Sequence, residues 1–182
     1  MKQSACLFCF AALLMALASC KSTKVTVDHQ ELATPLPPLP TELPVINYKS
    51  PGIRHEFESM LLYRFQVFAD KEASGGFAAR LLDDSSTAQV KISFPEGTYE
   101  CLVSEKATDS AHAPFYVYLD KVPYRVYPSD PPLGSYELTT RVPIYFTLEE
   151  PRTILVTVQA NSEHKIGSTG MSLDYIQFIK RN

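Results

Sequence analysis

Glu56 and Glu58 stand two residues apart in a stretch that reads as β-strand. Successive strand side chains leave opposite faces, so these two leave the same face, with Cα atoms about 7 Å apart. Two long carboxylates at that separation converge on one cation, or repel one another without it. The alternative is that both simply face solvent. Tyr116 and Tyr118 flank Val117 and share the face opposite it, and Tyr124, Tyr127 and Tyr136 follow in a proline-rich stretch. A tyrosine ring is a flat apolar surface with a polar tip, which suits sugar rings and protein partners alike. A run of such rings is a candidate binding face; the alternative is that some of them cover the second layer of the fold.

Catalytic groupings are missing from the pattern. His29, His55, His112 and His164 have no metal-ligand spacing, and there is no nucleophile elbow, phosphate-cradling glycine loop or C-x-x-C pair. Asp83 and Asp84 are adjacent, so on a strand they would point to opposite faces and are read as a turn. Glu149-Glu150-Pro151-Arg152 is read as a hairpin turn. The reading is therefore of a chain that is not an enzyme. Net charge is −3 with no basic block, which gives no footing for nucleic acid.

The elements that position these residues are strands. Leu62–Phe68 and Val90–Phe94 alternate apolar with polar, and Pro95-Glu96-Gly97 turns the chain back. Tyr99, Cys101 and Val103 mark one face of the returning strand, with Tyr99 assigned to the core. Phe115–Leu119, Ile154–Val158 and Leu173–Ile179 complete the series. Short strands separated by Pro, Gly, Asp and Ser clusters predict an all-β sandwich or barrel. The domain is assigned to residues 53–182. Ahead of it, Pro35, Pro37, Pro38, Pro40, Pro44 and Pro51 punctuate residues 20–52. Prolines this dense favour an extended spacer, about 30 Å over Pro35–Pro44 at ~3.1 Å per residue. A proline-rich ligand for a partner groove is the other reading.

Residues 1–19 read as a signal peptide: Lys2, then an apolar run from Ala5 to Leu17, then small residues. The run is shorter than the ~20 residues that span a bilayer. Leu17-Ala18-Ser19-Cys20 resembles the lipobox of bacterial lipoproteins. That resemblance implies cleavage before Cys20, acyl chains on Cys20, and anchoring in a bacterial envelope membrane. Lys21 in place of Asp leans toward the outer membrane. Cys6 and Cys9 leave with the signal, so Cys101 has no disulfide partner and is read as a buried hydrophobe.

The folded part resembles the carbohydrate-binding modules of families 6 and 35. Four landmarks carry the resemblance: Glu56-Phe57-Glu58-Ser59-Met60, Ala73-Ser74-Gly75-Gly76-Phe77, Phe94-Pro95-Glu96-Gly97-Thr98-Tyr99, and Gly170-Met171-Ser172-Leu173-Asp174-Tyr175-Ile176. The resemblance implies a galactose-binding-like jelly-roll β-sandwich. It also implies a structural calcium held by Glu56, Glu58 and Asp174, an ion suited to hard oxygen ligands. It further implies a carbohydrate ligand, for which the residue pattern itself offers Tyr116, Tyr118, Tyr124 and Tyr127 as the aromatic platform. The sequence departs from that family in having no tryptophan and in reading Asp120-Lys121 where the family has Asn-Gly or Asp-Gly. The expected function is a membrane-anchored glycan-binding lipoprotein; the alternative is a structural or assembly lipoprotein that docks on another envelope protein.

Overall fold

The computed structural model describes residues 34–107, 115–126, 134–138, 143–160 and 171–181. Cys20 and Tyr127, with the signal peptide and lipobox, lie outside the described residues. The strands are β1 (Val45–Asn47), β2 (Gly52–Glu56), β3 (Leu61–Tyr63), β4 (Phe65–Ala69), β5 (Phe77–Leu81), β6 (Thr87–Phe94) and β7 (Gly97–Lys106). They continue with β8 (Phe115–Leu119), β9 (Val122–Val126), β10 (Glu137–Leu138), β11 (Ile144–Leu148), β12 (Arg152–Gln159) and β13 (Ser172–Arg181).

Two sheets form. The six-stranded one runs β1-β6-β12-β8-β9, with β3 also on β6. The seven-stranded one runs β10-β7-β13-β5-β4, with β11 also on β7 and β2 on β13. Only β1 on β6 is parallel among the described pairings. Strands β6, β8 and β12 bury every second residue, as the period of two requires, and Ala88, Val90, Ile92 and Phe94 of β6 meet Ile176 and Phe178 of β13 in one core. This is the β-sandwich of jelly-roll type that the sequence predicts. Cys101 lies in that core, where burial pushes its thiol pKa well up.

Three local readings are corrected. The stretch Leu62–Phe68 is two strands in different sheets, divided at Arg64 with φ 55°. One residue in the left-handed region turns the chain out of one layer into the other. Glu149–Arg152 is likewise no hairpin turn, because β11 pairs with β7 and β12 with β6 in opposite sheets. Packing also reaches upstream of residue 53. Tyr48 joins Phe94, Tyr99, Phe146 and Phe178 in an aromatic cluster. Its hydroxyl donates to the Pro51 carbonyl at 2.6 Å and accepts from the Lys180 amide at 2.9 Å.

Candidate functional site

Strand β2 ends at Glu56, and Phe57–Ser59 form a turn of 3₁₀ helix, so Glu58 is not on the strand that the sequence suggests. The cause is packing. Phe57 and Met60 are both fully buried, yet three residues apart they would face opposite sides of a strand. Tightening the chain, with the Met60 amide bonded to the Phe57 carbonyl at 3.0 Å, puts both into the core. Glu58 is carried inward with them and is 7% exposed. Asp174 is 2% exposed near the start of β13, within the irregularity between Leu173 and Ile176.

The structure brings Glu56, Glu58 and Asp174 to one place. Ser74 ties two of them together: its amide donates to Asp174 Oδ1 at 2.9 Å and its hydroxyl to Glu56 Oε2 at 2.8 Å. Ser104 Oγ donates to Asp174 Oδ2 at 3.1 Å. Gly75, at φ 73°, lies against Glu58, so that a Cβ there would sit 3.7 Å from Glu58 Oε1. Glu58 Oε2 is buried with no hydrogen-bond partner among the described residues. Burial raises the pKa of all three carboxylates, and mutual repulsion adds to it at Glu56 and Glu58. Ser74 and Ser104 oppose the rise at Asp174. As placed, no group of three or more His, Cys, Asp or Glu side chains among the described residues is gathered closely enough to hold a metal ion. Glu56, Glu58 and Asp174 form a partly buried, mutually repelling set of oxygens with one orphaned acceptor on Glu58, a donor type that suits a hard cation.

Beside it runs a second polar network. Tyr136 donates to Asp70 Oδ2 at 3.0 Å, and Lys106 Nζ lies 2.7 Å from Glu72 Oε2, 3.6 Å from Asp70 and 5.2 Å from the Tyr136 ring centre. Burial and the bond to Asp70 push the Tyr136 hydroxyl pKa up. Its ring is therefore engaged rather than presented.

The tyrosines divide. Tyr116 and Tyr118 sit on the outward face of β8, ring centres 6.0 Å apart and tilted 41°. Tyr124 does not join them. On β9 it pairs with Val117, whereas Tyr116 pairs with Arg125 and Tyr118 with Pro123. Directly opposed residues share a face, so Tyr124 turns inward with Val117 and packs against the core. There it lines a cleft of about 670 Å³ together with Leu119, Val122, Phe146, Leu148 and Ile154. Asp120, in the turn between β8 and β9, has φ 55°, accepts from the Leu155 amide at 2.9 Å and pairs with Arg152 at 2.6 Å.

Sequence reasoning missed Ser74 and Ser104. Ser74 lies in the glycine-rich landmark, but its two bonds span 100 and 18 residues of chain and leave no local trace. Tyr63, 57% exposed on the same outward face as Tyr116, was also missed. Its alternation belonged to a strand assumed to be continuous.

No family model matches the chain, and no curated protein matches it. Solved structures do match in fold. A family 35 carbohydrate-binding module from Clostridium thermocellum aligns with TM-score 0.58 at 11% identity, over 71% of this chain and 98% of that one. The C-terminal family 6 module of a laminarinase from Zobellia galactanivorans aligns with TM-score 0.52 at 17% identity, over 71% of this chain and 99% of that module. An exo-β-1,3-galactanase from Phanerochaete chrysosporium aligns with TM-score 0.55 at 18% identity over 71% of this chain, which spans only 29% of the galactanase chain. The described domain thus has the fold of carbohydrate-binding modules of families 6 and 35.

Proposed function

We propose that this chain is a lipid-anchored envelope protein whose sandwich binds a glycan without acting on it. The observation that carries this is the Tyr116–Tyr118 pair, two half-exposed rings side by side on the outward face of a sheet, within a fold shared with sugar-binding modules. Adjacent tilted rings offer apolar faces to a sugar and hydroxyls to its edge. Replacing both with Ala removes polysaccharide binding while the melting curve stays unchanged. Undiminished binding by that variant sinks this face as the site.

Calcium completes the proposal. Glu56, Glu58 and Asp174 would hold it, and bound calcium supplies charge neutralisation between β2, the 3₁₀ turn and β13. The orphaned Glu58 oxygen and the raised carboxylate pKa values support this reading. The domain is then carried by acyl chains on Cys20, on the outer membrane, with residues 20 to about 44 as spacer. A Cys20→Ala chain should leave the membrane fraction; persistence there would refute the anchor.

A further inference from the structure

The geometry points to a site larger than the tyrosine pair: we propose that the outward face of the six-stranded sheet binds an extended polysaccharide without positive charge, laid across the strands from Tyr116 and Tyr118 to Tyr63. This rests on the glycan-binding reading above and adds the extent of the site and the class of polymer.

The strand register carries the argument. Tyr116 is opposite Gln159, Gln159 opposite Thr87, and Thr87 opposite Tyr63. These four residues form one straight row over four neighbouring strands. The adjacent row reads Tyr118, Thr157, Gln89, Leu61. Both rows thus start on a tyrosine of β8, cross a floor of Gln and Thr, and end on an apolar residue of β3. At ~4.8 Å per strand, three steps separate the aromatic banks by about 14 Å. That span exceeds a single sugar ring and suits several linked ones. Gln89 Nε2 donates to Thr157 Oγ1 at 3.2 Å, so the floor is pre-set with its remaining polar atoms outward. The guanidinium of Arg64, 5.6 Å from the Tyr63 ring centre, steadies that ring, which stays 57% exposed.

Charge selects the polymer. Among the described outward positions of these six strands there is no Asp or Glu, although the chain is net acidic at −3. The face does hold Lys91 and Arg125. The outward face of the other sheet differs: Glu100 there pairs with Arg181 and accepts from Tyr145, and Arg54 covers Tyr175. A surface of amides, hydroxyls and rings that carries two cations and no carboxylate on its strands accepts neutral or carboxylate-bearing sugars and disfavours a polycation.

The test is binding of the full chain, in non-ionic detergent at physiological salt, to immobilised laminarin (neutral), polygalacturonate (acidic) and glycol chitosan (cationic). The expected result is binding to laminarin or polygalacturonate and none to glycol chitosan. Tyr63→Ala should weaken polymer binding roughly tenfold, as for loss of one aromatic bank of the site, and Gln89→Ala severalfold. Both variants should keep the parent melting curve, since neither side chain is in the core. Parent-like binding by Tyr63→Ala and Gln89→Ala overturns the extended site while leaving the tyrosine pair standing. Binding to glycol chitosan overturns the charge argument. Binding of the parent chain to none of the three removes the glycan reading and this inference together.

Discussion

Glu58 concentrates the energetics of the carboxylate cluster. A buried carboxylate with an unpaired oxygen, facing Glu56 and Asp174, costs stability whenever it is ionised without a cation nearby. Glu58→Gln should therefore raise the melting temperature in chelator, by roughly 2–5 °C for about 1 kcal/mol, and abolish the rise that calcium gives the parent. In the parent, calcium at a hundred times its Kd should add about 2.7 kcal/mol, or roughly 10 °C. Equal melting of the parent with calcium and with chelator would dispose of the metal site. The pH dependence has a definite sign. The folded-state pKa of these carboxylates lies above the unfolded value, so the folded state takes up protons first and the metal-free protein gains stability as pH falls through the raised range. Protons and calcium compete for the same oxygens, so the calcium increment should shrink as pH drops from neutral toward that range. His55 contributes the opposite slope. Burial lowers its pKa, and it costs stability as pH falls below its ordinary value. Taking the increment at each pH, calcium against chelator, cancels that contribution. An increment that stays flat from pH 7 to pH 4.5 would contradict carboxylate coordination.

At the scale of elements, the period of two in β6, β8, β12 and β13 was written plainly in the residues, and with it the sandwich. Three features were not, and each has a physical reason. The break between β3 and β4 depends on one positive-φ residue, Arg64, a type not enriched at such positions. The 3₁₀ turn after β2 follows from burying Phe57 and Met60 together, a demand of the core and not of local propensity. The inward turn of Tyr124 follows from the β8–β9 register, which spacing from Tyr118 across the Asp120-Lys121 turn does not disclose. Of the candidate site, the landmarks holding Glu56, Glu58, Ser74 and Asp174 were legible, but their meeting point was not. Residues 45–52 were assigned to the spacer because prolines surround them. They nevertheless supply β1, on β6, and Tyr48, which braces β13 through Lys180. Tyr48→Ala should cost about 3 kcal/mol, as for other buried aromatics. A chain begun at residue 53 should lose at least as much against one begun at 34. Matched denaturation curves for those two chains would refute the role given to Tyr48 and β1.

For the whole molecule, the two sheets carry different surfaces. The seven-stranded sheet holds the carboxylate cluster and pairs Glu100 with Arg181 on its outward face; the six-stranded sheet offers rings, amides, hydroxyls and two cations. If Cys20 is lipidated as proposed, the proline-rich spacer would hold such a domain off a membrane while leaving it free to sample polymers nearby. A rigid sandwich suits this task, because ring positions fixed by strand register need no ordering when a polymer arrives. The most direct test of the account is a glycan-array screen of residues 34–182, which form one compact unit, run with calcium and with chelator beside the Tyr116→Ala, Tyr118→Ala double variant. The account predicts binding to polysaccharides that weakens in chelator and disappears in the variant. A blank array from a sample shown to be folded would contradict it.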